Sequence, residues 1–423
     1  MSYKLQSVKT GNRFDDTGWM MDAPGETSPT LIRTLYDSKQ IQLLPSGNGL
    51  YRFANWMPVR RFLKGSSAPV TYRSRRLADT LKLSNLWITF SGFWPERDAL
   101  MLTCSFKETE AYSVCGRLDP GSGKILVVAS AGNTARSFAR VCSDNGIPLL
   151  LCMPSDTLDA MWFDEPVKDH VKLVVTGSGS DYCDAIRLSN LACTPDRFLP
   201  EGGAKNVARR DGMGTTVLSA VTTIGEIPSF YFQAVGSGTG AIAAWEANLR
   251  LISDGRFGNR KMKLMVSQNA PFTPMYDAWN RDSRELSIPD DDLARSQVRE
   301  ILAKVLSNRK PPYAIAGGLY DAMKDTEGTF MYATNDELLE ASCLFSENEG
   351  IDIHPAAAVA IASLKKSVSE GRVGRDDIIM VNVTGGGEER MKKGRKLHFL
   401  RPSYVFGVAP SQEEVTEKIR DLF

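Results

Sequence analysis

The sequence predicts an α/β protein in which helices flank parallel β-sheets, on three observations. From about residue 124 onward, short apolar segments alternate with segments of helical periodicity, which is the pattern of β-α-β units. The apolar segments are continuously hydrophobic, so we expect their strands to be buried on both faces, as in parallel sheets. Polar or glycine-rich loops follow three of these segments, and such proteins bind small molecules at the carboxyl ends of their strands.

Two series of strands are predicted, separated by a break in the pattern at residues 195–228. The first comprises strands at 124–130, 147–154 and 171–177, with one helix ending near residue 145 and another within residues 180–193. The second comprises strands at 229–235, 263–269 and 377–383, with helices at 241–251 and 289–308 and two further helices before the last strand. We therefore predict two lobes with a cleft between them. Residues 101–210 form the small lobe, residues 211–423 form the large lobe, and residues 1–100 belong to the large lobe.

Composition and charge argue against several classes of protein. The 423 residues carry a net charge of +1 and are 42% hydrophobic, so we expect neither a nucleic-acid nor a membrane partner. No apolar segment approaches the ~18 residues of a membrane-spanning helix. The seven cysteines are scattered without a C-x-x-C pair, and the N-terminus is polar, which favours free thiols and a cytoplasmic location. The three histidines are far apart, so no metal site is predicted.

The first candidate ligand loop follows the strand at residues 124–130. It leads into a helix, and most of its side chains are small, so its backbone N–H groups are accessible. N–H groups at the start of a helix bind anions, and a carboxylate would suit this loop. An ordinary turn with an asparagine cap explains the same residues. The loop consists of Ser130, Ala131, Gly132, Asn133 and Thr134.

The second candidate loop joins the strand at residues 229–235 to a helix and presents several N–H donors to a phosphate. With Ala241 it also satisfies the loose dinucleotide pattern G-x-G-x-x-A. A dinucleotide site needs an acid at the end of the next strand to bind the ribose, but that strand ends in Ser-Gln-Asn. A single phosphate therefore fits better, and a plain tight turn is the remaining alternative. The loop consists of Gly236, Ser237, Gly238, Thr239 and Gly240.

Two further residues complete a possible site. Lys107 opens a predicted helix, where the helix dipole disfavours a positive charge, so it is either an ordinary exposed lysine or works in another form than the free ammonium. Thr384 ends the last predicted strand before three glycines, and its neutral hydroxyl would suit an unprotonated heteroaromatic nitrogen. Together with the two loops, these residues indicate a pyridoxal 5'-phosphate site in which the lysine bonds covalently to the cofactor aldehyde.

These ordered motifs resemble the fold-type II pyridoxal phosphate enzymes, the tryptophan synthase β-like group, over roughly residues 45–390. The segments GLYRFANWMPV, SFK and EGGAKNVARRDGMGT resemble threonine synthases. The segments GSSAPVTYRS, ITFSGFWPE, TCSFKETEAYSVCGRL and SAGNTARSFARVC are similar to the cysteate synthases, which are threonine synthase relatives of methanogenic archaea. Threonine synthases usually carry Asp-Arg directly after the lysine, whereas this chain has Glu108-Thr109, which argues for altered substrate handling.

The resemblance implies a two-lobed fold with the cofactor in the interdomain cleft. By the family's pattern, Lys107 is the catalytic residue that binds the cofactor, Asn133 contacts its ring hydroxyl and Thr384 faces its pyridine nitrogen. Residues 236–240 would hold the cofactor phosphate. Ser130, Ala131, Gly132 and Thr134 would hold the substrate carboxylate. Three arginines near these motifs are further candidates for anion binding: Arg136, Arg209 and Arg210.

The likeness to cysteate synthases also implies the reaction. It would be a β-replacement that converts O-phospho-L-serine and sulfite to L-cysteate and phosphate, in coenzyme M biosynthesis. The alternatives are a threonine synthase acting on O-phosphohomoserine, a nicotinamide-dependent dehydrogenase and a non-catalytic ligand-binding protein. We further expect a homo-oligomer whose ligands are small molecules.

Overall fold

The computed structural model describes residues 2–287 and 290–423, and two large sheets form its framework. The strands are β1 (Tyr3–Ser7), β2 (Arg13–Phe14), β3 (Ile32–Tyr36), β4 (Val70–Arg73), β5 (Leu86–Phe90), β6 (Phe93–Trp94), β7 (Ala99–Leu100), β8 (Ile125–Ala129), β9 (Leu149–Pro154), β10 (Trp162–Phe163), β11 (Val171–Thr176), β12 (Phe198–Pro200), β13 (Phe230–Ala234), β14 (Lys263–Asn269), β15 (Thr329–Ala333), β16 (Ile379–Val383), β17 (His398–Phe399) and β18 (Tyr404–Phe406). The α-helices are α1 (Arg76–Thr80), α2 (Lys107–Arg117), α3 (Asn133–Asn145), α4 (Tyr182–Ala192), α5 (Val207–Ile224), α6 (Thr239–Asp254), α7 (Pro274–Asn280), α8 (Asp291–Glu300), α9 (Leu319–Asp325), α10 (Asn335–Glu349), α11 (Pro355–Ser369), α12 (Glu388–Lys392) and α13 (Gln412–Arg420).

The smaller sheet has five strands in the order β12-β8-β9-β11-β18, and each pair of neighbouring strands is parallel. Strands β8, β9 and β11 lie within two residues of their predicted positions, and β9 is buried at every residue. The continuous apolar pattern therefore reports burial on both faces, as expected. The α/β class with helices flanking parallel sheets is confirmed.

The C-terminal segment departs from the predicted division into lobes, which assigned residues 211–423 to the large lobe. Strand β18 pairs with β11 of the five-stranded sheet. The reason is apolar burial, since Phe406 on β18 and Val415 on α13 join a cluster that includes Ile125 and Leu150 of the same sheet. The end of the chain thus completes the sheet whose other strands come from residues 125–200.

The larger sheet has six strands in the order β15-β14-β13-β16-β5-β4, parallel except for the antiparallel pair β4 and β5. Strand β14 spans the predicted residues 263–269, and β13 and β16 lie within two residues of prediction. Strands β4 and β5, from the first 100 residues, extend this sheet. The two sheets are the basis on which we interpret the chain as two lobes.

Three helical regions differ from the sequence prediction. Helix α5 occupies residues 207–224, where the sequence pattern breaks. The helix predicted at 289–308 is shorter, because α8 ends at Glu300 and the chain turns away before a 3-10 segment at Lys304–Leu306; its predicted start, Pro289, lies outside the described residues. Instead of two further helices, the structure has α9, α10, α11 and the additional strand β15 before β16.

Candidate active site

Lys107 lies at the start of α2, and the segment before it is bonded to the loop after β16. The N–H of Phe106 donates to the carbonyl of Thr384 at 2.9 Å, and the N–H of Gly386 donates to the carbonyl of Cys104 at 3.1 Å. Ser105 forms an isolated antiparallel bridge with Gly385. These bonds bring Thr384 beside Lys107, although 277 residues separate them in sequence.

A small cavity of about 80 Å³ lies at this junction. Every residue predicted to bind the cofactor lines it, and these residues come from α2, from both candidate loops and from the end of β16. Its other lining residues include Phe106, Met213, Gln233 and His354. The predicted residues in its wall are Lys107, Asn133, Gly236, Ser237, Gly238, Thr239, Gly240 and Thr384.

The glycine loop at residues 236–240 forms one end of this cavity, at the N-terminus of α6. A Cβ atom on Gly236 would lie 2.8 Å from the carbonyl oxygen of Val305, so this position has no room for a side chain. Gly238 has a φ of +77°, in the region that favours glycine. The loop therefore offers the N–H groups of a helix start and two neutral hydroxyls, whose oxygens lie 2.9 Å apart on Ser237 and Thr239. This set of donors suits a phosphate.

The end of β14 is occupied in a way that disfavours a dinucleotide. The side-chain oxygen of Gln268 accepts hydrogen bonds from the N–H groups of Met275 at 2.9 Å and Tyr276 at 3.0 Å, at the start of α7. It is therefore engaged in capping that helix. No carboxylate from β14 faces the glycine loop, as the sequence Ser-Gln-Asn predicts.

A larger cleft of about 360 Å³ adjoins the small cavity. Lys107, Asn133, Ser237 and Thr239 line both spaces. The four residues predicted to hold the substrate carboxylate also line this cleft: Ser130, Ala131, Gly132 and Thr134. The rest of its wall includes Tyr182, Lys205, Arg209, Asn308 and Lys310.

The asparagine loop at residues 130–134 pairs some N–H groups at the start of α3 within the fold and leaves others without a backbone acceptor. The hydroxyl of Ser130 accepts hydrogen bonds from the N–H groups of Gly132 and Ala135, both at 3.1 Å. In the described part of the chain, the N–H groups of Asn133 and Thr134 have no backbone acceptor. They are thus available to a carboxylate in the cleft.

A buried carboxylate controls the charge of the lysine. The Nζ atom of Lys107 lies 3.3 Å from Oε2 of the fully buried Glu110, one helical turn later. Oε1 of Glu110 accepts hydrogen bonds from Arg209 Nη2 at 2.7 Å and from the hydroxyl of Thr134 at 2.8 Å. Burial raises the pKa of Glu110, but Arg209 and Lys107 outweigh it, and the pKa lies below its ordinary value.

The surroundings of Lys107 favour its neutral amine over the ammonium form. Burial lowers the pKa of Lys107 below its ordinary value, and Arg209 acts in the same direction, while Glu110 partly opposes them. Arg209 also lies 3.3 Å from a second buried carboxylate, Glu201, whose pKa is raised by burial. Two acids and two cations therefore share one desolvated corner of the cleft.

Sequence reasoning located some of these groups and missed others. Of the three candidate arginines, only Arg209 lines the cleft; Arg210 is buried against Glu246 at 2.9 Å, and Arg136 lies behind the asparagine loop. Glu110 was missed, although its spacing from Lys107 places both on one face of a helix. His354 was also missed, because no motif marks it; it lines the small cavity.

Comparisons with known proteins find a matching family and similar sequences. The family described as pyridoxal-phosphate dependent enzyme matches residues 76–385. A cysteate synthase of Methanosarcina mazei is 47% identical over 416 residues, covering 98% of this chain and 98% of that protein. The chain belongs to the cysteate synthase family. A cysteate synthase of Methanoregula boonei is 44% identical, covering 99% of this chain and 96% of that protein.

The cysteate synthase family thus shares its fold with solved structures of other enzymes. Threonine deaminase isoform 2 from Solanum lycopersicum superposes with a TM-score of 0.58 at 15% identity, covering 96% of this chain and 99% of that chain. Maize serine racemase has a TM-score of 0.56 at 12% identity, covering 75% of this chain and 88% of that chain. The predicted membership of the fold-type II pyridoxal phosphate enzymes is confirmed.

Two further kinds of feature are absent from the described residues. They contain no group of three or more His, Cys, Asp or Glu residues placed to hold a metal ion. None of the helices found in them combines the length and apolar character needed to cross a membrane.

Proposed function

We propose that this protein is a cysteate synthase, a pyridoxal phosphate-dependent transferase that converts O-phospho-L-serine and sulfite to L-cysteate and phosphate. The near full-length similarity to cysteate synthases supports this function. The structural observation that carries it is the pair of adjoining cavities, which meet at Lys107 and Asn133. One suits the cofactor and the other has room for a small anionic amino acid.

The residues of the small cavity fit pyridoxal phosphate. The neutral donors of residues 236–240 would hold its phosphate, Thr384 would face the pyridine nitrogen, Asn133 the ring hydroxyl, and Lys107 would bond to the aldehyde carbon. When bound, this cofactor supplies an electron sink for the negative charge that develops at the substrate α-carbon.

Lys107 acts as the general base and acid of the reaction. Its neutral amine can remove the α-proton of the substrate, and burial favours this neutral form because it lowers the pKa of Lys107. Glu110, at 3.3 Å, then stabilises the ammonium that results. While Lys107 is bonded to the cofactor, Arg209 and Thr134 keep the buried carboxylate of Glu110 paired. The same lysine returns its proton to the α-carbon at the end.

The cleft has groups to bind the substrate both at its carboxylate and at the phosphate on its β-carbon. The N–H groups at the start of α3 hold its carboxylate, which directs the β-carbon toward the wall that carries Arg209, Lys205 and Lys310. The bond from the β-carbon to the ester oxygen breaks, and phosphate leaves with the electron pair. The sulfur lone pair of sulfite then forms the new bond to the β-carbon. Both the leaving and the entering group are anions, and both meet this cationic wall.

The position that distinguishes threonine synthases lies outside both cavities. Neither Glu108 nor Thr109 lines the two cavities. The carboxylate of Glu108 accepts a hydrogen bond from the N–H of Thr103 at 2.5 Å, and the hydroxyl of Thr109 donates to the carbonyl of Phe106 at 2.8 Å. Both side chains are therefore used inside the fold.

A cytoplasmic location is part of this proposal. All seven cysteines are free, and the sulfur atoms of the buried pair Cys115 and Cys142 lie 3.6 Å apart without a bond. Unpaired thiols at this distance suit a reducing compartment. A homo-oligomer stays a prediction, which light scattering of the purified holoenzyme tests.

The test of the function is product analysis with two substrate pairs. Holoenzyme is incubated with O-phospho-L-serine or O-phosphohomoserine, each with and without sulfite, and amino acids and released phosphate are quantified. Cysteate and phosphate are expected in equal amounts from the first substrate with sulfite. Threonine from the second substrate, without cysteate from the first, would identify a threonine synthase instead.

A further inference from the structure

The side chain of Arg136 is a buried cation in an unfavourable place. It lies in the first turn of α3, and its side chain is 3% exposed. The helix dipole disfavours a positive charge there, and loss of water disfavours it further. Burial accordingly lowers the pKa of Arg136 below its ordinary range, and Glu388 is the largest opposing influence. The free energy lost by burying this charge at a helix start must be offset by what the guanidinium binds.

Several groups fix the plane of this guanidinium. Nη1 donates to the carbonyl of Ala160 at 2.9 Å, and Nη2 donates to the carbonyl of Thr103 at 3.0 Å. The guanidinium carbon lies 4.3 Å from the centre of the Trp162 ring, and Nη2 lies 3.7 Å from a carboxylate oxygen of Glu388. Arg136 is therefore a rigid donor.

One further hydrogen bond runs from Arg136 to the asparagine loop. Nη2 donates to Oδ1 of Asn133 at 3.0 Å. A guanidinium has five donors and no acceptor, so the atom of Asn133 that faces it must be the amide oxygen. The amide nitrogen then points the other way. Asn133 lines both cavities, and within residues 2–287 and 290–423 its amide nitrogen donates no hydrogen bond.

We propose that Arg136 is a positioning residue that holds the Asn133 amide with its N–H donors toward the cofactor. In this orientation the amide stabilises an ionised oxygen on the cofactor ring. The opposite orientation would present the amide oxygen to it and repel it. The proposal rests on the assignment of the small cavity to pyridoxal phosphate, and it is independent of which substrates react.

The test follows the bound cofactor instead of the product. Apoprotein variants are titrated with pyridoxal phosphate while the visible absorption band is recorded as a function of pH. Arg136→Met is expected to weaken cofactor binding about tenfold, since a hydrogen bond to an ionised group is lost or misdirected. The pH at which the ring oxygen ionises is expected to rise. Arg136→Lys, which retains one donor, is expected to recover most of the wild-type spectrum.

Arg140→Met is the matched control. Arg140 lies one turn later on α3, pairs with Asp144 and Asp164, and lines neither cavity. Its replacement removes a second largely buried arginine from the same helix, so it reports the effect of weakening α3 alone. Its spectrum and cofactor affinity are expected to match the wild type. A shift as large as that of Arg136→Met would show a merely structural role for Arg136.

A double-mutant cycle with Asn133→Ala decides whether Arg136 acts through Asn133. In the Asn133→Ala background, adding Arg136→Met is expected to change cofactor affinity by less than about twofold. The full tenfold effect in both backgrounds, or an unchanged band in Arg136→Met alone, would overturn the proposal. If Arg136→Met does not fold, Arg136→Gln, which also removes the guanidinium, takes its place in the same cycle. Absence of cofactor binding by the wild type would refute the cofactor assignment, whereas binding without cysteate formation would refute only the proposed substrates.

Discussion

The asparagine loop at residues 130–134 and the glycine loop at residues 236–240 share a backbone setting but differ in charge. Each follows a buried parallel strand and begins a helix, α3 or α6. The glycine loop presents only N–H groups and two hydroxyls. The asparagine loop is instead surrounded by Lys107, Glu110 and Arg209. A ligand group of constant charge can be held by neutral dipoles, whereas a reaction that moves protons needs ionisable groups.

The largest effect should come from Lys107→Ala, which should abolish the reaction beside the asparagine loop while leaving cofactor binding by the glycine loop. The variant should fold and still bind the cofactor without a covalent bond, through the neutral glycine loop. Cysteate formation should fall by about 10⁴-fold or more, because both the covalent attachment and the general base are lost. Mass spectrometry after borohydride reduction of the wild type should find the cofactor on Lys107. In the control Lys172→Ala, which removes a lysine paired with the exposed Asp169, the label should be retained. A label on another lysine would refute the assignment.

Gly236→Ala tests the neutral loop itself. Its Cβ would approach the carbonyl oxygen of Val305 to 2.8 Å, so the loop or the facing chain must shift. We expect the affinity for pyridoxal phosphate to fall about tenfold to a hundredfold, from overpacking of ~1–3 kcal/mol. The matched control is Gly407→Ala, where nothing lies within 4 Å of the added Cβ. Equal cofactor affinity in both variants would mean that the loop does not hold the phosphate.

Glu110→Gln tests the charged side of the comparison. Glu110 raises the pKa of Lys107, so its neutralisation lowers that pKa further. The acid limb of the pH profile of kcat should therefore move to lower pH, and kcat should fall about tenfold because the lysine ammonium loses its partner. Thr134→Val removes only one hydrogen bond to Glu110 and should give a smaller change in the same direction. An acid limb that moves to higher pH would contradict the role given to Glu110.

Glu108→Gln should have the smallest effect on the reaction, because Glu108 lies outside both cavities. Burial raises its pKa from an ordinary 4.5 to about 7. Between these values the unfolded chain ionises while the folded chain keeps the proton, so stability falls by roughly 3 kcal/mol as the pH rises, with no further loss above pH 7. Urea unfolding of the apoprotein at pH 5 and pH 8 should show this loss in the wild type and a weaker one in Glu108→Gln. The exposed Glu389→Gln should behave as the wild type, and an unchanged pH dependence in Glu108→Gln would refute the prediction.

The parallel strands could be predicted because a strand buried on both faces is an unbroken apolar segment. Helix α5 could not, for the corresponding reason. Every residue from Val207 to Val221 is buried, so the helix has no polar face and no hydrophobic periodicity. It is also rich in glycine and threonine, which favour helices weakly. Gly212 is required there, since a Cβ would lie 2.3 Å from the carbonyl of Thr109 on α2.

The residues predicted to bind the cofactor could be brought to one cavity by sequence reasoning because they lie in short motifs at strand ends. Glu110 was within reach, since it lies three residues after Lys107 on a predicted helix. His354 and the partner of Asn133 were not. His354 reaches the cavity through a bridge between the neighbouring Ile353 and Gly386, and Arg136 acts through a rigid side-chain contact. Such relations arise only from tertiary packing.

The pairing of β18 with β11 has a consequence for the synthesis of the protein. Strand β11 ends at Thr176, and the ribosome must add more than two hundred residues before β18 begins at Tyr404. At ~5–20 residues per second, this takes roughly 10–50 s. Throughout that interval the edge of an apolar strand is unpaired, and unpaired apolar edges promote aggregation. We therefore expect a chain truncated just before Tyr404 to be insoluble on expression, although it keeps every residue of the candidate site.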